Sequence, residues 1–190
     1  MMSLGSNIDL RSMAVQRELI LYIAQSLDGF IAPPDEDLSF LSIVAVEGED
    51  YGYADFVASC DTVIMGRRTY DKVASMGVPD PHPGRTLYVI TRTLKPSQGE
   101  IHFRGGDVVD LVRSLKAQAG KHIYCDGGAQ LIHILLQHDL IDRYIISTVP
   151  VLLGGGIRLF QEGRAMRKLE LVESRRFASG LVKSEYRRVG

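Results

Sequence analysis

Short, uninterrupted apolar runs recur along this chain, and segments of helical spacing separate them. Runs such as TVIM (62–65), LYVI (87–90) and HIYC (122–125) show no polar alternation. A strand built from such residues must be covered on both faces, which restricts the chain to a sheet with helices packed on it. Eight candidate strands follow. Six are ELILYIAQ (18–25), DTVIM (61–65), TLYVIT (86–91), HIYCD (122–126), RYIISTVPVLL (143–153) and KLELVESR (168–175). The last two, RRFAS and LVKSEYRRV, flank a turn at Ser179-Gly180.

Helical spacing fills the intervals. In DVVDLVRSLKAQAG the apolar stripe is Val108, Leu111, Val112 and Leu115, with Asp107 as N-cap and Gly120 beyond the last turn. AQLIHILLQHDL carries a stripe of Leu131, Ile132, Leu135 and Leu136, and RRTYDKVASMG reads as a short helix ending at Gly77. Residues 37–60 have room for one or two more. Strands alternating with helices predict an α/β sheet, with the residues from 168 onward as an antiparallel addition. The stretches 78–85 and 94–106 read as loops, neither long enough to divide the chain.

With 190 residues and 45% hydrophobic content, one domain with a sizeable core is expected over residues 18–190. Residues 1–17 read as an N-terminal extension without the pattern of a signal peptide. Twenty-two basic residues against 23 acidic ones argue against nucleic-acid binding or membrane binding by bulk charge. No apolar run reaches transmembrane length. Cys60 and Cys125 form no paired motif, so a reducing, cytoplasmic setting is the expectation.

Three strand ends look alike. TVIM runs into Gly66, Arg67, Arg68 and Thr69; LYVI runs into Thr91 and Arg92; IYCD ends in Asp126 and runs into Gly127, Gly128, Ala129, Gln130 and Leu131. Ligands of open α/β sheets sit beyond the carboxyl ends of strands. Two of these ends lead into helix N-termini, which favour anions, and two supply arginine, which grips phosphate through paired donors. Together they predict an elongated ligand with several phosphates. Each has an ordinary alternative: a tight turn for Gly-Gly, solvated charge for the arginines. No Walker loop, GxGxxG fingerprint, nucleophile elbow, deaminase zinc motif or metal-ligand spacing occurs.

The ordered set SLDGFIA (26–32), VIMGRRTY (63–70), YVITR (88–92), IYCDGGAQL (123–131) and PVLLGGGIRLF (150–160) resembles the dihydrofolate reductase-like superfamily. It is most similar to the reductase domain of the bifunctional riboflavin-biosynthesis deaminase–reductase and its stand-alone relatives. The resemblance spans residues 18–187. It implies a three-layer α/β/α fold, a homodimer and an NADPH-dependent reductase. Ala24 and Ile31 would then lie beside the nicotinamide, and Gly66 to Thr69 would bind cofactor phosphates. Thr91 and Arg92 would approach the adenosine ribose and its 2′-phosphate, and Asp126 to Leu131 would cradle the pyrophosphate. Arg67, Arg68 and Arg92 suit the extra phosphate that separates NADPH from NADH.

Hydride transfer then needs alignment and, in some reductions, an acid. Asp37-Leu38-Ser39-Phe40 resembles the acidic substrate segment of dihydrofolate reductases, which makes Asp37 the catalytic candidate, as a buried carboxylate of raised pKa. Asp35 competes for the part, and an Asp ahead of an apolar run is also a common N-cap. Asp28 reads as a loop-fixing turn residue. Gly154-Gly155-Gly156 resembles the glycine-rich cleft segment of the riboflavin-type enzymes. Two departures bear on the substrate: there is no tryptophan, Phe40 standing where relatives often carry one, and no clear substrate-phosphate signature. The expected reaction is reduction of the ribosylaminopyrimidine phosphate. Dihydrofolate reduction and a nucleotide-binding module without catalysis are the rivals.

Overall fold

A computed structural model describes residues 17–163 and 165–189; the expected extension, apart from Arg17, lies outside them. In chain order the elements are β1 (Leu19–Ser26), β2 (Phe30–Ala32), a 3₁₀ helix (Ser39–Val44), α1 (Tyr53–Ala58), β3 (Cys60–Gly66), α2 (Arg67–Ser75), β4 (Thr86–Ile90) and β5 (Ile101–Arg104). Then come α3 (Val108–Ala117), β6 (His122–Gly127), α4 (Ala129–Gln137), β7 (Arg143–Val149), β8 (Ile157–Arg158), β9 (Leu169–Arg176) and β10 (Val182–Arg188).

Eight strands form one sheet in the order β5-β4-β3-β6-β1-β7-β10-β9. The pairs from β5 to β7 are parallel, and β10 runs antiparallel to β7 and β9. A two-stranded antiparallel pair, β2 with β8, stands beside it. The apolar runs explain this layout. Leu19 and Leu21 of β1 join Ile64 and Ile123 under α3 and α4, while Ile20 packs with Val63, Met65, Phe56 of α1 and Tyr70 of α2 on the other face. The fold is therefore the expected three-layer α/β/α arrangement with an antiparallel C-terminal end.

Local chemistry sets the ends of the elements. Asp107 caps α3, its carboxylate accepting from Val109 N at 2.7 Å. The run 143–153 stops pairing at Val149 because Pro150 has no N–H to give the ladder. KLELVESR and the start of RRFAS are one strand, β9, and the chain turns at 177–181, where Gly180 takes φ +87°. Strand β5 falls inside the expected loop 94–106. Its alternation, Ile101 and Phe103 buried, covers only four residues at the sheet edge. Arg17 is buried. Its guanidinium donates to Lys121 O (2.7 Å), Leu115 O (3.2 Å) and Thr62 Oγ1 (2.5 Å) and pairs with Asp61.

Candidate active site

The carboxyl ends of β1, β3, β4 and β6 open onto one cleft of about 980 Å³. Ala24, Ile31, Gly66, Arg67, Arg68, Thr69, Thr91, Arg92, Asp126, Gly128, Ala129, Gln130 and Leu131 all line it. Residues drawn from five segments of the chain thus meet on one surface, as the sheet order requires: β3 and β1 are the two neighbours of β6.

Gly127 is buried and does not line the cleft. Its φ is +117°, and that of Gly128 is +94°. A Cβ on Gly128 would come within 3.3 Å of Gly66 Cα, and one on Gly66 within 3.5 Å of Gly127 O. The glycines therefore let two strand ends touch backbone to backbone. The same approach brings the starts of α2 and α4 to one wall. Neither helix has a side-chain cap: the N-cap residues are Gly66 and Gly128. Their first N–H groups remain as donors at the positive ends of two helices.

The cations differ in engagement. Arg67 Nε donates to both Asp71 oxygens at 2.7 Å, and Arg68 pairs with Glu36 across the cleft mouth. Arg92 has no hydrogen bond or ion pair among the described residues. Of these three, Arg92 is the one that can turn to a ligand anion without breaking an existing pair.

Asp37 is exposed and does not line the cleft. Its carboxylate accepts from Ser39 N (3.0 Å) and Ser39 Oγ (2.6 Å), just ahead of the 3₁₀ helix. These bonds, the hydroxyl foremost, hold its pKa below the usual carboxylate value. The buried, raised acid expected at this position is not found; the carboxylate closes a local turn onto Ser39, and Leu38, not Asp37, is the N-cap residue of the 3₁₀ helix. Asp35 is also exposed and accepts from Asp37 N at 3.2 Å. Asp28 fixes its loop, as read. It accepts from Ser26 Oγ (2.5 Å), Leu153 N (3.1 Å) and Gly154 N (2.7 Å), which tie the β1 turn to the triple-glycine segment. The Ser26 hydroxyl leads in lowering its pKa.

One cluster had no counterpart in the sequence reading. Asp126 Oδ2 lies 2.9 Å from Nε2 of His82, and Asp126 Oδ1 accepts from Tyr124 Oη at 2.5 Å. His82 is only 4% exposed and arrives on the proline-rich loop 78–85. Forty-four residues separate it from Asp126, and no spacing rule links them. Tyr22 and Tyr53 also face this end of the cleft. Burial pushes the Tyr22 phenol up to about 12, with Asp50 and Tyr53 adding to the effect. Burial and then the Asp126 charge raise Tyr53 and Tyr124. All three phenols are therefore neutral donors near pH 7. No group of three or more metal-ligating side chains occurs among the described residues.

The profile of the RibD C-terminal domain matches residues 17–183. The chain belongs to this family. It is 38% identical over 168 residues to the uncharacterized protein YwjB of Bacillus subtilis (strain 168), covering 88% of this chain and 96% of that one. A putative riboflavin biosynthesis protein from Shewanella sp. PV-4 superimposes with a TM-score of 0.83 at 30% identity, covering 91% of this chain and 99% of that one. Dihydrofolate reductase from Enterococcus faecalis, solved with NADP(H) and RAB-propyl, gives 0.64 at 16% identity, over 92% and 98% of the two chains. The RibD C-terminal family is one of reductases, and the dihydrofolate reductase-like fold is shared. No helix among the described residues is long and apolar enough to cross a membrane.

Proposed function

We propose that this RibD-type chain is an NADPH-dependent reductase that transfers hydride to a small heterocyclic or ribosylated substrate. The substrate to test first is the riboflavin-type 5-amino-6-(5-phosphoribosylamino)uracil. One observation carries the proposal: two uncapped helix N-termini, at Gly66-Arg67 and Gly128-Ala129, share a cleft wall with the unpaired Arg92. Helix ends and arginine together suit a dinucleotide with an additional phosphate. When bound, the cofactor supplies the hydride.

The protein's part is placement. Ala24 and Ile31 offer an apolar wall for a nicotinamide ring. Thr69 and the α2 and α4 N–H groups would hold the phosphates. Thr91 and Arg92 would take the ribose and its 2′-phosphate. Gln130 and Leu131, in the first turn of α4, line the same wall. A homodimer in the cytoplasm belongs to the same reading; the exposed edge strand β9 offers a surface for a second copy.

Thermal-shift titration with NADPH beside NADH tests the reading. A ligand specific to the folded state adds about 2.7 kcal/mol at about a hundred times its Kd. A large shift with NADPH and a small one with NADH is expected, and Arg92→Ala should narrow the difference. No shift with either would remove the cofactor site. Binding without turnover of the pyrimidine phosphate or dihydrofolate would favour a nucleotide-binding module.

A further inference from the structure

We infer that Lys183 is a positioning residue for the cleft: from β10 it holds the left-handed turn at Tyr51-Gly52, and that turn sets where Tyr22 and Tyr53 stand. The geometry does not depend on the reductase reading; only the expected effect on turnover rests on it.

The turn is unusual for its sequence. Tyr51 takes φ +59° and Gly52 φ +76°. Glycine adopts this region freely, whereas a residue with a Cβ stays there only where its surroundings hold it. Every polar group of Tyr51 is engaged. Its N–H donates to Glu49 Oε1 at 2.7 Å. Its hydroxyl bonds Val44 O and lies 2.9 Å from Ser179 Oγ, in the turn of the C-terminal hairpin. Its carbonyl oxygen accepts from Lys183 Nζ at 2.6 Å, and Tyr22 Oη approaches the same oxygen at 3.5 Å. The Tyr51 ring meets Phe177 edge to face with centroids 4.8 Å apart.

Lys183 lies 132 residues further along the chain. It is half-buried and shares a crevice of about 320 Å³ with Glu173 and Glu185. Yet no carboxylate pairs with it among the described residues. Glu185 is taken by Arg143, and the Lys183 ammonium ends on a neutral carbonyl. A charged donor makes a stronger hydrogen bond than a neutral one, so it fixes the peptide it reaches. A Cβ on Gly52 would lie 3.1 Å from Nζ, so the ammonium also sits against the second left-handed residue.

The turn leads straight into α1, which carries the rings. Gly52 is the N-cap residue, Tyr53 the first helical residue and Phe56 the buried one. Tyr22 stacks on Phe56 at 4.5 Å and meets Tyr53 edge to face at 5.5 Å. Tyr22 and Tyr53 both line the cleft. With six residues, α1 is too short to be stable alone, so its direction follows from its ends and its packing. Asp50 accepts from Gly52 N (2.8 Å) and Ala54 N (2.9 Å), which ties the helix to the turn. Lys183 ties the turn to the sheet.

The test reads the rings in the free protein. Isotope-labelled tyrosine is followed by NMR in the full chain, with Tyr22 and Tyr53 assigned through Tyr22→Phe and Tyr53→Phe. Lys183→Met keeps the stem and removes the ammonium. It should displace the Tyr22 and Tyr53 signals and leave that of Tyr70, on α2, in place. Lys183→Arg should restore them in part, and Glu173→Gln, in the same crevice, should move neither. Lower urea stability of Lys183→Met with unmoved rings would make Lys183 merely structural and overturn the inference. In the wild type, the Lys183 ammonium protons should exchange with solvent more slowly than those of the exposed Lys168. Equal exchange overturns the inference even if Lys183→Met does not fold. With NADPH and the ribosylaminopyrimidine phosphate, Lys183→Met should lower kcat/KM about tenfold to a hundredfold at unchanged NADPH Kd, the scale of a small misplacement. An unchanged kcat/KM beside an active wild type would overturn the bearing of Lys183 on the reaction. A wild type that neither binds NADPH nor turns over refutes the reductase reading alone, and the ring signals still decide the placement.

Discussion

Three consecutive glycines at 154–156 should respond to alanine in three different ways. Gly156 takes φ +134°, and a Cβ there would fall onto the carbonyl oxygen of Ala32 and lie 2.8 Å from Pro33 Cα. Both obstacles are backbone, so neither can swing aside. Left-handed geometry costs a non-glycine residue about 1–2 kcal/mol, and overpacking adds about 1–3 kcal/mol. Gly156→Ala should therefore lose about 2–5 kcal/mol. Gly154 takes φ +72° with open space around it, so Gly154→Ala should lose only the conformational part, about 1–2 kcal/mol. Gly155 has neither a positive φ nor an atom within 4 Å of an added Cβ, so Gly155→Ala should change stability by less than about 0.5 kcal/mol. Urea denaturation of the three variants measures the series, with NADPH affinity as the second readout. The clash at Ala32 pushes directly on β2 and β8, whose Ile31 and Ile157 wall the cleft. Gly156→Ala should thus weaken NADPH binding, and Gly155→Ala should not. Equal stability of Gly156→Ala and Gly155→Ala would refute the close approach and the account of this wall.

Other consequences are open to direct measurement. Arg17→Ala removes a buried guanidinium that ties β3, α3 and the 120–121 turn together; urea denaturation should show a loss of about 2–3 kcal/mol, moderated because Asp61 is partly solvated. Alkaline stability should fall over a defined range. The Cys125 thiol and the Tyr22 and Tyr144 phenols ionise near 9 and 10 in the unfolded chain, and burial pushes each up to about 12 in the fold. Between those values the folded state binds more protons. Its added stability is therefore complete below about pH 9 and lost as pH rises through about 12. Tyrosinate absorbance, followed with near-ultraviolet circular dichroism, should show these phenols ionising together with unfolding. Reversible ionisation of all eight tyrosines near 10 in folded protein would contradict the burial.

The centre of the sheet was legible because its residues have no alternative. Leu19, Ile20 and Leu21, or Val63, Ile64 and Met65, are apolar on both faces and are fully buried. The Asp107 cap was equally plain, since the capping residue and its partner lie two positions apart. β2 and β8, three and two residues long, carry no period to read; they exist because chain segments more than a hundred residues apart are brought together. In the cleft, the glycine and arginine strand ends converge as their resemblance implied. The acid did not follow. Asp37 resembled a substrate carboxylate by local sequence, but its contacts are with Ser39, two residues away. Asp126, an acid that does line the cleft, was read with the pyrophosphate on the family resemblance. Only tertiary structure reveals that His82 and Tyr124 hold it.

The position of β1 has a consequence for biosynthesis. Of the described strands this one is the first to leave the ribosome, yet it occupies the middle of the sheet, between β6 and β7. Its partners begin at His122 and Arg143. At about 5–20 residues per second, the roughly hundred residues before β6 take some 5–20 s to make. Throughout that interval a strand with three fully buried aliphatic side chains in the finished protein has both hydrogen-bonding edges free. The nascent chain is therefore most exposed to aggregation and to chaperone capture well before its last helix appears. Slowing translation ahead of β6 should lower soluble yield more than slowing it after β7.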